Sequence, residues 1–72
     1  MDLYFVELNK DEYLSNTKNI TKDFYEAHLF VSERAARRGL SNKRKKDNKP
    51  YLDSKIGRVS IVSKNNDYVF KN

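Results

Sequence analysis

Apolar and polar residues alternate near the amino-terminal end of the chain, which is typical of a half-buried strand. Residues 3–8 have this pattern, with one set of side chains on each face: Tyr4, Val6 and Leu8 on the first, Leu3, Phe5 and Glu7 on the second. Residues 9–12 are polar and turn-like. Residues 13–15 then return as a short second strand, so the pattern predicts an N-terminal hairpin.

A second alternation begins at Arg58 and runs to Lys64. Asn65 and Asn66 suit a two-residue hairpin loop, because asparagine tolerates positive φ better than most residues. This loop fixes a register in which charged and apolar residues face each other across the two strands. The predicted pairs are Lys64 with Asp67, Ser63 with Tyr68, Val62 with Val69 and Ile61 with Phe70.

Two structures compete for residues 21–40. One is a single long helix capped by Thr21. The other is a helical turn at residues 22–27, a short strand at 28–31 and a second helix that starts at Ser32. We favour the second, since Ser32 is a good N-cap and Glu33 suits the positive end of a helix dipole. Gly39 can end that helix near residue 40.

Residues 42–54 are predicted to form a basic, flexible loop, because they are polar, dense in like charges and contain Pro50. The chain as a whole, residues 1–72, is a single domain. The predicted fold is α+β: a small antiparallel sheet from the two hairpins, with one or two short helices on one face. The expected core is Val6, Leu8, Phe24, Phe30, Ala36, Leu40, Val59, Ile61 and Phe70.

Composition indicates a small folded domain without covalent or metal cross-links. Of its 72 residues, 38% are hydrophobic and 35% are charged, and there is no cysteine. Five tyrosines and four phenylalanines offset the small apolar share, since each can bury about 150–250 Å². No apolar run approaches the roughly 18 residues of a membrane span. Asp2 and Glu7 do not fit a secretory signal, so we expect a cytoplasmic protein.

Charge is strongly segregated along the chain. Residues 33–50 hold eight basic and two acidic residues, a net charge of +6, whereas the remainder carries −1. Such a field attracts nucleic acid, an acidic protein or an anionic membrane. The basic residues are Arg34, Arg37, Arg38, Lys43, Arg44, Lys45, Lys46 and Lys49.

Signatures of catalysis and of cofactor or metal binding are absent from the sequence. The two glycines, Gly39 and Gly57, are too far apart for a phosphate-binding loop. His28 is the single histidine, and Asp23 and Glu26 are its only nearby acids. A packed or surface histidine is the expected role for His28. We therefore expect a protein that is not an enzyme and has no cofactor.

The first 40 residues resemble small α+β proteins of unknown function encoded by phages and prophages of Gram-positive bacteria. The resemblance rests on the strand at residues 3–8, the Glu26-Ala27 turn, a short strand ending near Phe30 and the helix capped by Ser32. It implies a phage or prophage setting in the cytoplasm of a bacterial host. Some small phage proteins of this kind bind and redirect host machinery.

Nucleic-acid binding with low sequence specificity is the function that the basic segment predicts. Arg34, Arg37 and Arg38 share one helical face, and the lysine-rich loop would follow a phosphate backbone. Asn42 and Asn48 could contact base edges. Tyr51 could stack on an unpaired base, although packing as a local anchor over Pro50 is more common for such a tyrosine.

Two other roles for the basic segment remain open, and the sheet edge offers a separate one. An acidic host protein is the alternative partner, which would make the chain a regulator or inhibitor. A solvated charged surface without a partner is the plainest interpretation. The exposed sheet edges could also pair with a strand of a partner protein or with a second copy of the chain. Membrane-surface binding is disfavoured, because no apolar helix face backs the basic run.

Overall fold

The chain folds into one antiparallel sheet and one helix. The computed structural model describes residues 1–64 and 67–71, with side chains for residues 1–60. In chain order the elements are β1 Asp2–Asn9, β2 Glu12–Leu14, β3 Ile20–Thr21, a 3₁₀ turn Phe24–Glu26, α1 Glu33–Asp47, β4 Lys55–Lys64 and β5 Asp67–Lys71. The strand order is β3-β2-β1-β4-β5, and every neighbouring pair is antiparallel. The predicted small α+β fold is confirmed.

Both predicted hairpins are present. In the first, Glu7 pairs with Tyr13 and the register shifts before Asn9. The second has the predicted register, from the Lys64–Asp67 pair to the Ile61–Phe70 pair. The predicted Asn65-Asn66 loop lies outside the described residues. The short strand β3 was not predicted; it pairs with β2 through two residue pairs.

The segment before α1 adopts the turn–strand–helix arrangement, and the single long helix is wrong. Asp23 caps the 3₁₀ turn by accepting a hydrogen bond from the backbone N–H of Tyr25 at 2.9 Å. The predicted short strand is reduced to a bridge in which Phe30 and Tyr4 exchange backbone hydrogen bonds of 2.7 and 2.8 Å. The Ser32 hydroxyl then accepts from the N–H of Ala35 and starts α1, as predicted.

The helix α1 is longer than the sequence predicted, and the basic loop is correspondingly shorter. It continues through Gly39 to Asp47, so residues 42–47 are helical rather than a flexible loop. Lysine and arginine are good helix formers, and basic residues in the last turn suit the negative end of the helix dipole. Asn48 ends the helix in the left-handed conformation, with φ of 53°. Only residues 48–54 connect α1 to β4.

The main core lies between α1 and one face of the sheet. Its buried members are Val6, Leu8, Leu14, Ala36, Leu40 and Tyr51, with Tyr4, Phe30 and Ile56 packed against them. Val59 is buried as predicted, but Phe24 and Phe30 are only half-buried. The sequence prediction missed Leu14 and Tyr51. The side chains of Ile61 and Phe70, also predicted core residues, lie outside the described part of the chain.

An aromatic cluster packs on the opposite face of the sheet. The rings of Phe5, Tyr13 and Phe24 meet edge to face, with centroids 5.0 to 5.7 Å apart. The Phe5 ring also covers Gly57, its partner on β4, and a Cβ there would collide with the ring. Gly57 is therefore required for close packing.

Among the residues that the structure describes, no helix is both long and apolar enough to cross a membrane.

Candidate nucleic-acid interface

The inward side of α1 is set by three buried residues. Ala36, Leu40 and Lys43 are spaced by four and three residues and therefore lie on one side of the helix. Gly39, next to this side, makes room for the Phe30 ring, since a Cβ there would lie 2.6 Å from Phe30 Cζ. The packing against the sheet thus fixes which side of α1 faces solvent.

The solvent side of α1 carries two groups of cations, within residues 34–38 and residues 44–46. We call it the basic face and define it as the exposed residues Arg34, Arg37, Arg38, Arg44, Lys45, Lys46 and, just after the helix, Lys49. At a rise of 1.5 Å per residue, Arg34 and Lys45 are separated by about 16 Å along the axis. Because these positions belong to one regular helix and its cap, their spacing is set by the fold.

Acidic residues do little to neutralise the basic face. Glu33 makes an exposed ion pair with Arg37, with Oε2 3.6 Å from Nε. Arg44 donates a hydrogen bond to Ser54 Oγ at 3.0 Å. With the described residues, the remaining cations make no ion pair: Arg34, Arg38, Lys45, Lys46 and Lys49. These side chains are available to an external anion.

Lys43 was predicted to be part of the binding site, but it is a structural residue. Its side chain is only 6% exposed. The ammonium group donates to the backbone carbonyl of Lys18 at 2.5 Å and lies 2.9 Å from Asp47 Oδ2. Helical phase explains the correction, because position 43 follows Ala36 and Leu40 onto the inward side of α1. The predicted site therefore loses one of its eight residues.

Tyr51 is likewise structural and unable to stack on a base. It is buried and its hydroxyl donates to the Asp47 carboxylate. This hydrogen bond, together with burial, raises the pKa of Tyr51 to about 12. The hydrogen bonds from Tyr51 and Lys43 in turn lower the pKa of Asp47. Asp47, the second acid of the basic segment, is thus held by groups on the inward side of the helix.

The two asparagines proposed for base contacts have different surroundings. Asn48 forms the C-cap of α1, which accounts for its residue type. Asn42 is exposed on the helix, beside an open depression of about 250 Å³. That depression is also lined by Lys18 and Lys46. Lys18 lies far from α1 in sequence, so only the folded structure brings it to this cationic surface.

His28 is a packed histidine. Its ring stacks on Phe30 at a centroid distance of 4.0 Å, and burial, followed by the nearby charge of Lys18, lowers the pKa of its imidazole. Its Nδ1 is buried without a hydrogen-bond partner in the described structure. Glu26 accepts a hydrogen bond from the Thr21 hydroxyl. No cluster of three potential metal ligands occurs within residues 1–64 and 67–71.

Comparison of the chain with protein-family models, with curated proteins and with solved structures gives no match.

Proposed function

We propose that the chain is a non-enzymatic nucleic-acid-binding protein whose basic face contacts the phosphate backbone. The observation that supports this proposal most is the placement of seven exposed cations on one helix and its cap. Of the two acids in the segment, Glu33 is paired with Arg37, and Asp47 is held by Lys43 and Tyr51. A polyanion would therefore meet an outward surface that is predominantly positive.

The proposed binding is electrostatic and steeply dependent on salt. Each phosphate that a lysine or arginine neutralises releases condensed counterions, so the logarithm of affinity falls by about 0.9 per contact with the logarithm of salt for duplex DNA. Seven contacts give a slope of about −6 by this rule. Affinity for a duplex should then fall by three to four orders of magnitude between roughly 50 and 200 mM salt.

Sequence specificity is expected to be low. The basic face consists of arginines and lysines on an exposed helix, and phosphate contacts position a protein without reading bases. Asn42 is the exposed amide beside them that could reach a base edge. One amide would give at most a weak preference over a short site.

The test is a salt series with a mixed-sequence duplex and a single strand, measured by fluorescence anisotropy. The variant Arg38→Gln/Lys45→Gln removes two basic-face cations that have no ion pair with the described residues. We expect weaker binding at every salt concentration and a slope that is shallower by about 2. Glutamine is chosen because it preserves helix propensity.

The matched control is Lys10→Gln/Lys22→Gln. Lys10 and Lys22 are exposed and lie outside α1, and the double change lowers the net charge by the same two units. We expect this control to keep most of the affinity and a nearly unchanged slope. Equal losses in the two variants would mean that net charge alone attracts the nucleic acid. No binding to duplex or single strand at low salt would refute the proposed function.

The setting that we propose follows from the resemblance to small phage and prophage proteins. The chain would act in the cytoplasm of a bacterial host, on phage or host nucleic acid. The order of neighbouring genes tests this setting, because a replication, lysogeny or anti-defence block is expected around such a protein. A location among genes without any phage relationship would contradict it.

An acidic host protein is the second candidate partner. The observation in its favour is that two large apolar side chains are exposed on either side of α1 in the sequence: Val31, 81% exposed, before the helix and Leu52, 87% exposed, after it. Apolar anchors beside arginines are typical of protein interfaces. Capture from nuclease-treated host lysate distinguishes the candidates: a stoichiometric protein lost with Arg38→Gln/Lys45→Gln favours a protein partner, and loss of all partners with the nuclease favours nucleic acid.

A further inference from the structure

The strand β4 continues beyond the residues that pair with its neighbour β1. The pairing of β1 with β4 runs from Glu7–Lys55 to Asp2–Ser60. Beyond Ser60, residues 61–64 pair with residues 67–70 of β5. We call residues 61–64 and 67–70 the arm. The molecule is elongated, with extents of 44 × 23 × 20 Å. The arm has a two-stranded backbone.

The arm is too apolar for an isolated ribbon. The register pairs Ile61 with Phe70 and Val62 with Val69. In sequence, both of these pairs are apolar. A two-stranded hairpin alone is marginally stable in water. A further strand beside the ribbon would add the cross-strand pairs that a two-stranded hairpin lacks.

The outer edge of β5 is open. In the described sheet β5 has one neighbour, β4, so the backbone groups on its other side can pair with a further strand. The opposite edge strand, β3, has two residues and offers little to pair with. The sheet can thus be extended at β5.

The sequence of β5 favours a second copy of the same strand as the partner at this edge. When the strand Asp67–Lys71 is laid antiparallel to a second copy of itself about Val69, Asp67 falls opposite Lys71, and Tyr68 falls opposite Phe70. Val69 falls opposite Val69 of the other copy. Opposite charges, aromatic pairs and a β-branched pair are the cross-strand pairs that stabilise antiparallel sheets.

We propose that two copies of this chain associate through antiparallel β5–β5 pairing centred on Val69, which forms one continuous ten-stranded sheet. The pairing is isologous, as expected for a closed homodimer. The two-fold axis would be perpendicular to the sheet, so both α1 helices and both basic faces lie on the same side. The dimer goes beyond the proposed function, and it would present a polyanion with two basic faces.

The dimer is tested first on the unmodified chain by sedimentation equilibrium, without nucleic acid. We expect a mass of about 17 kDa, which is twice the 8.5 kDa of one chain. A mass of 8.5 kDa at every concentration up to the millimolar range would overturn the proposal. This result would leave the proposed nucleic-acid binding untouched, because that rests on α1.

Charge reversal on β5 tests the register. Lys71→Asp places like charges opposite each other at both ends of the paired strands. Lys64→Glu/Asp67→Lys places positive charges opposite each other at both ends of the paired strands. Within the arm, positions 64 and 67 still carry opposite charges in this variant. We expect each variant alone to weaken self-association by roughly tenfold, since each cross-strand charge pair contributes only a fraction of a kcal/mol.

An equimolar mixture of the two variants is the decisive sample. In a mixed dimer, the acidic β5 of one chain faces the basic β5 of the other, so association should return to the strength of the unmodified chain. Recovery would also show that both variants remain folded. Self-association of each variant at full strength, or a mixture as weak as its components, would overturn the proposed register and with it the dimer.

Discussion

Four adjacent cations, residues 43–46, have different roles that depend on helical phase. Lys43 is buried against Asp47 and the carbonyl of Lys18, whereas Arg44, Lys45 and Lys46 are exposed. The sequence contained a signal for this difference, because position 43 continues the spacing of Ala36 and Leu40. That spacing predicts a buried Lys43 only if α1 extends past Gly39, whereas the sequence predicted that the helix ends near residue 40. The contact between Lys43 and Lys18 has no local sequence signal.

We expect Lys43→Gln to lower the free energy of unfolding by about 1–3 kcal/mol, because the Lys18 carbonyl and Asp47 lose a buried donor. Lys45→Gln, which changes an exposed residue on the opposite side of α1, should change it by less than about 0.5 kcal/mol. Urea unfolding followed by circular dichroism measures both. For nucleic-acid affinity we expect the opposite ranking, in which Lys45→Gln weakens binding more than Lys43→Gln does. Equal stability of the two variants would contradict the structural role of Lys43.

At the scale of elements, the start of α1 was predictable and its end was not. Ser32 and Glu33 give a local capping signal, and the structure confirms it. Gly39 was expected to end the helix, but the glycine is there to accept the Phe30 ring, a contact that local sequence does not encode. The actual end depends on Asn48 in the left-handed conformation and on Tyr51, which is tied to Asp47.

The hydrogen bond from the Tyr51 hydroxyl to Asp47, at the end of α1, should be lost at alkaline pH. The pKa of Tyr51 rises from its ordinary value of 10.0 to about 12 in the folded chain. A pKa that folding raises contributes stability that is fully present below pH 10 and is lost as the pH rises towards 12. We expect Tyr51→Phe to be less stable by about 0.5–1.5 kcal/mol below pH 10.

The stability difference between the unmodified chain and Tyr51→Phe should shrink between pH 10 and 12. Urea unfolding of both proteins at matched pH measures it, and taking the difference cancels groups that titrate equally in both. A difference that stays constant up to pH 12, or that grows, would show that the hydroxyl of Tyr51 does not have the assigned hydrogen bond.

At the scale of the whole molecule, alternation predicted both hairpins and the register of the second. It could not predict β3, which has two residues, or the way β1 and β4 join the hairpins into one sheet, because neither has a local pattern. The charge pattern located the candidate site. Folding then removed Lys43 from that site, placed the other seven residues on and beside one helix, and brought Lys18 near them.

The most direct measurement is an amide-resolved NMR titration of the chain with a mixed-sequence duplex at low salt. We predict that the largest shift changes lie on the basic face, at Arg34, Arg38 and Lys45, and that they disappear as salt displaces the phosphate contacts. Lys10 and Lys22, exposed elsewhere on the molecule, should change little. Unchanged spectra at low salt, or changes centred away from α1, would contradict binding of nucleic acid through this helix.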